Sequence, residues 1–227
     1  MGYSWFRDKS WILFSTFVTV VMVFTLWSPG GDITQTPKFW RDEAIPFEIA
    51  RTFIETGKLD VGIAPDTVER ASYKTHATGF TLTVPLALWM RVFGIGLFET
   101  RVFMIFWIAA TVILLFFVLK SFFDPRAAII GTLLVSSFSS FYANGRTATG
   151  EIPGFFFLLI ALFFIYHKKY FAIGGFSLAL ALVAKPSTYL IGFPALALEL
   201  LFFEEVKAIK KIIRTALGAL PVILFWI

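Results

Sequence analysis

Long apolar runs separated by short charged turns dominate this chain. A hydrocarbon core about 30 Å thick takes roughly 17–25 apolar residues per helix. About seven runs fit as spans: 11–27, 101–119, 127–144, 152–167, 170–185, 187–203 and 215–227. Two further stretches have helical periodicity without the length to cross. Over 45–56, Pro46, Ile49, Ala50, Phe53 and Ile54 share one face, with Glu48, Arg51 and Glu55 opposite; Pro46 suits a first turn and Gly57 a C-terminal stop. Over 80–93, Leu82, Leu86, Trp89 and Phe93 recur at helical spacing, but the run is short for a span and contains Pro85.

Charge decides whether 80–93 crosses. If it does not, one side gathers ten basic residues: Arg7, Lys9, Lys120, Arg126, Lys168, Lys169, Lys207, Lys210, Lys211 and Arg214. The short loops opposite then hold only Arg146 and Lys185. If it does cross, the first side holds only six basic residues, Arg7, Lys9, Arg91, Arg101, Arg146 and Lys185, and the opposite side fourteen. Lys and Arg favour the cytoplasmic side of short loops, so 80–93 is expected to lie at the outer interface or to dip in and return. The N-terminus is then cytoplasmic, and residues 28–100 form one large outer loop carrying both short helices. The last run stops at Ile227 with no polar stop, and the chain is expected to be part of a longer protein.

Composition agrees with a membrane setting. The 227 residues are 58% hydrophobic and only 15% charged, with mean hydropathy +0.80 and 29 Phe, more than one water-facing core absorbs. The net charge of +5 sits in small groups between apolar runs, where headgroups account for it and nucleic-acid binding is not expected. The absence of Cys excludes disulfides and thiolate metal sites. Trp11 to Trp27 follows Arg7 and Lys9 as a signal peptide would, yet Trp27-Ser28-Pro29-Gly30 offers no small-residue cleavage site, so an uncleaved first span is expected. The expected class is an all-α, multi-pass protein of the plasma (cytoplasmic) membrane.

With this topology, Asp42, Glu43, Lys74, His76, Arg146, Glu151 and Lys185 fall on the outer side. Singly, each has an ordinary explanation: a helix-end Arg or Lys snorkels, an Asp-Glu pair is solvated, and a lone His is a bystander. Acids and bases converging from three separate loops at one face suggest instead a site between helices and loops. A transporter would need charges or broken helices near the midplane; the inferred spans carry no charge through their middles, and a kink at Pro194 in the sixth span is thin support for one.

Several segments carry a resemblance. They are Asp42-Glu43 followed by Phe47 to Gly57, the run Pro85 to Gly94, Glu99-Thr100-Arg101, Gly145-Arg146 through Glu151-Ile152-Pro153, and Leu182-Val183-Ala184-Lys185-Pro186. In order and spacing they resemble the N-terminal module of polyprenyl-phosphate-sugar glycosyltransferases of the C-type superfamily (GT-C). That superfamily includes protein O-mannosyltransferases and bacterial aminoarabinose transferases of lipid A. The resemblance implies a sugar donor on a polyprenyl phosphate and a lipid, glycan or protein acceptor. It casts Asp42 as general base and Glu43 as a residue that holds or tunes the acceptor site. Glu151 would position sugar or acceptor, and Arg146 and Lys185 would meet the carrier phosphate, with Lys74 and His76 as further candidates. Where the family often has Lys-Pro-Pro, this chain has Lys74-Thr75-His76. No resident cofactor is expected, although Asp42, Glu43 and Glu151 could share a divalent cation. A non-catalytic partner built on the same module is the alternative. The sugar, the acceptor and the oligomeric state have no readable signature here.

Overall fold

The computed structural model describes residues 33–64, 67–69, 78–142, 144–203 and 208–226. The expected span 11–27, together with Lys74 and His76, lies outside the described residues.

The first helix among the described residues, α1, covers Arg41–Thr56 and so begins four residues before the expected 45–56, taking Asp42 and Glu43 into its first turn. Pro46 is therefore interior, with no N–H to give the Asp42 carbonyl. The helix stops at Gly57, in the left-handed region at φ 73°, whose N–H reaches Phe53 O at 2.9 Å. On the exposed face, Arg51 pairs with Glu48 and Glu55; the Glu48 hydrogen bond raises the guanidinium above its ordinary value and keeps it charged. A short antiparallel pair follows, β1 (Val61–Ala64) and β2 (Thr67–Glu69), with Gly62 opposite Val68. Apart from that short hairpin, the described residues form helices and their connections, in keeping with the all-α expectation.

Next comes α2 (Phe80–Phe93), which rests against α1 and against α3 (Leu97–Phe122). Ala50, Leu82, Leu86, Met90, Met104 and Ile108 form one buried cluster there. The apolar face of α1 is thus covered by protein. The chain continues through α4 (Pro125–Ser137), a turn α5 (Ser139–Tyr142), a 3₁₀ turn (Asn144–Arg146), and α6 (Glu151–Leu162) ending in a wide π turn (Phe163–His167). It then runs through α7 (Phe171–Ala184), the short α8 (Pro186–Tyr189), α9 (Gly192–Phe203) and α10 (Ala208–Trp226).

Among the described residues, two stretches, Leu97–Phe122 and Pro186–Phe203, are long and apolar enough by themselves to cross a membrane. Phe80–Phe93, Pro125–Ser137, Glu151–His167 and Phe171–Ala184 are apolar but shorter. The expected run 127–144 divides because Phe138 takes an extended conformation after Ser136 and Ser137, whose hydroxyls donate back to carbonyls of the preceding turn. The final helix starts seven residues before the expected 215 and includes Lys210, Lys211 and Arg214.

At the centre lies α7, packed between α6 and α10, and its glycines explain how. A Cβ on Gly174 would fall 2.3 Å from Ile165 on the π turn, and one on Gly175 would fall 1.9 Å from the Thr215 carbonyl of α10. Backbones approach this closely only where side chains are missing. The two helices run the same way. Lys211 stands over the Phe171 ring at one end, while Val183 and Val222 share a cluster at the other.

Both ends of α2 contact one end of the bundle. Gly79, just before it, donates to Val183 O at 2.8 Å near the close of α7, and Trp89 Nε1 donates to Glu99 O at 2.9 Å in the first turn of α3. The charges of α3, α6 and α10 lie toward their ends.

Candidate active site

The starts of α1 and α6 and the close of α7 meet near Thr78 and Gly79, and local sequence explains each. The residue before a proline is pushed out of the helical region, so α7 ends at Lys185, at φ −152° and ψ 89°, and Pro186 opens α8. Gly150 caps the start of α6 at φ 89°, and a Cβ there would sit 2.2 Å from the Ala184 carbonyl. Glycine is required twice over at this position, by conformation and by space. Tyr189 locks the junction by donating its hydroxyl proton to Glu151 O at 2.6 Å. Gly150→Ala is therefore expected to cost about 1–3 kcal/mol, read as a lower thermal midpoint in detergent. Gly57→Ala, in open space, should cost less; equal losses would count against the packing role of Gly150.

An open cavity of about 240 Å³ lies at this junction, lined among the described residues by Asp42, Ile45, Thr78, Lys185 and Ser187. Asp42 is exposed, while Lys185 is half-buried. Lys185 Nζ lies 3.2 Å from Glu151 Oε1. The other carboxylate oxygen of Glu151 is buried without a hydrogen-bond partner among the described residues. Asp42 and Lys185 are thus brought to one cavity, with Glu151 joined to it through Lys185. Arg146 is buried in the 3₁₀ turn that leads into α6.

Glu43 points elsewhere. Its carboxylate is fully buried and accepts two hydrogen bonds from Arg101, from Nε at 3.1 Å and from Nη2 at 2.9 Å. Arg101, also fully buried, donates in addition to the Ile33 carbonyl. One guanidinium thus ties α3 to α1 and to the segment before it, fixing the helix turn that carries Asp42. Arg101 stands out only as a charge entering a long apolar run, and its partner is 58 residues away.

The three carboxylates that could share a divalent cation do not converge, since Glu43 is held by Arg101 and Glu151 by Lys185. Among the described residues, no group of three His, Asp or Glu could hold a metal ion.

Apolar helices with charge at their ends, and a cavity of acid and base where several of them stop, are the geometry of a membrane protein with a candidate site at one end of its helices. Residues 82–227 match the family model of dolichyl-phosphate-mannose-protein mannosyltransferases, more than half of the sequence, and the chain belongs to that family. Its fold is similar to the crystal structure of ArnT from Cupriavidus metallidurans bound to undecaprenyl phosphate. The similarity covers 97% of this chain with a TM-score of 0.66 at 14% sequence identity, and the chain spans 41% of the length of that protein. No curated protein sequence matches.

Proposed function

We propose that the chain forms the membrane module of a glycosyltransferase that moves a sugar from a polyprenyl phosphate to an acceptor hydroxyl at the outer membrane face. Family membership supports the class of enzyme and donor. The meeting of Asp42 and Lys185 in one cavity, with Glu151 on Lys185, is the observation that carries the reading to particular residues.

In this mechanism the acceptor oxygen attacks the anomeric carbon, forming one C–O bond as the bond to the lipid phosphate breaks. Asp42 takes the hydroxyl proton. Negative charge grows on the departing phosphate, and Lys185 stabilises it, with Arg146 as a second cation nearby in sequence to α6. Glu151 orients Lys185 or the sugar, and Arg101 acts through Glu43 as a positioning residue. A single displacement inverts the anomeric centre. The donor tail stays in the bilayer while the sugar stands in the interfacial cavity.

The proposed topology has about seven spans in the cytoplasmic membrane, with the N-terminus inside and α2 lying along the outer face. The contacts of both ends of α2 with the same end of the bundle support that arrangement.

The test is donor-phosphate affinity of the full-length protein in detergent. Lys185→Ala should weaken polyprenyl-phosphate binding at least about tenfold, the worth of one charge-assisted hydrogen bond, and Lys185→Arg should retain most of it. Unchanged affinity in Lys185→Ala would take the phosphate away from this cavity.

A further inference from the structure

A second cavity, about 410 Å³, opens at the other end of α7, lined among the described residues by Phe171, Lys210, Lys211 and Arg214. The rise of 1.5 Å per residue along the 14 residues of α7 puts it about 20 Å from Lys185. It therefore belongs to the opposite face of the bundle. No step of the proposed transfer uses it.

Its walls match one kind of ligand. Lys211 stands 5.3 Å from the centre of the Phe171 ring, giving the cavity a flat aromatic side with a cation already on it. Lys210 and Arg214 are exposed and one turn apart, so they share a face of α10. The turn Lys168-Lys169, with Lys169 at φ 61°, precedes Phe171 and adds positive charge to this end. The acid of α9 at this level, Glu199, accepts a hydrogen bond from the Tyr166 hydroxyl.

The same face of α10 continues as Leu217, Pro221 and Leu224, all exposed. At 100° per residue, positions 210, 214, 217, 221 and 224 fall within a narrow stripe. Its cationic end is at the cavity. Its apolar end runs about 15 Å from Arg214 to Leu224. A free anion needs only the first half of that stripe; a lipid with a phosphate headgroup and an acyl chain uses both.

We infer that this cavity is a binding site for the phosphate headgroup of an anionic membrane lipid, whose chain lies along the Leu217–Leu224 face of α10. The site is distinct from the Asp42 cavity and independent of the sugar-transfer reading. Ordinary snorkelling of Lys210 and Arg214 to the interface is the competing account. It predicts no preference among anionic headgroups and no difference between these cations and others at the same end.

The experiment uses the full-length protein in phosphatidylcholine nanodiscs containing graded phosphatidylglycerol, with retained lipid counted by native mass spectrometry after transfer to detergent. Wild type should keep phosphatidylglycerol in preference to phosphatidylcholine. Lys210→Gln and Arg214→Gln should each lower that retention about fivefold, while Lys120→Gln and Arg126→Gln, elsewhere at the same end, should leave it unchanged. Equal retention of the two lipids by wild type would overturn the inference, and this arm needs no variant to fold. Equal loss in all four variants would reduce the effect to surface charge. Displacement of the lipid by millimolar inorganic phosphate alone would make the cavity a free-anion site and overturn the lipid assignment.

Discussion

Asp42→Asn should lower sugar transfer by about 10²–10⁴-fold, the usual contribution of a positioned general base, with donor binding retained. Asparagine keeps the shape of the side chain and its place in the first turn of α1, but it cannot accept the hydroxyl proton. Asp42 is exposed at the cavity and the core does not depend on it. A loss of turnover with unchanged thermal midpoint and unchanged polyprenyl-phosphate affinity is therefore the expected signature. Loss of donor affinity in parallel with turnover would instead make Asp42 a binding residue.

Arg101→Ala should be the most damaging single change to stability. It strands the fully buried Glu43 carboxylate and leaves the Ile33 carbonyl without that donor. Removing one partner of a buried ion pair typically costs about 3–5 kcal/mol, because the remaining charge has no solvent to return to. Replacing both partners with apolar residues can be close to neutral. The pair Glu43→Leu with Arg101→Met should accordingly recover most of the thermal midpoint lost in Arg101→Ala. Failure of the double variant to recover would mean that Arg101 supports the fold through contacts other than Glu43.

Two helix stops were legible, because single residues set them. Gly57 stops α1 in the left-handed region, and Pro186 forces the break at Lys185, both visible as residue types in sequence. Contacts across the bundle were not legible. Asp42 and Glu43 are neighbours and read as one acidic pair, yet one helical step turns adjacent side chains about 100° apart. One lines the cavity and the other enters the core, toward a partner that no local pattern announces. The glycines of α7 likewise read as neutral small residues until α6 and α10 are set against them. Hydropathy counting joined what backbone chemistry separates. The serines before Phe138, and the turn at Leu190 and Ile191, divide runs that are continuous in apolar character.

Of the expected site residues, Asp42 and Lys185 share the cavity, Glu151 adjoins it, Arg146 is buried at the turn before α6, and Glu43 is withdrawn from it. The signal that could have separated Glu43 from Asp42 was Arg101. A charge one turn into a long apolar helix needs a buried counter-charge, and among the acids of the outer loop Glu43 supplies it.

The most direct measurement is sugar transfer by the full-length protein, supplied in turn with a panel of polyprenyl-phosphate sugars and with protein, lipid and glycan acceptors. The account predicts turnover of at least one donor, with release of the polyprenyl phosphate and inversion at the anomeric carbon. If no polyprenyl-phosphate sugar binds or turns over, while the protein remains folded in the membrane, the account is contradicted.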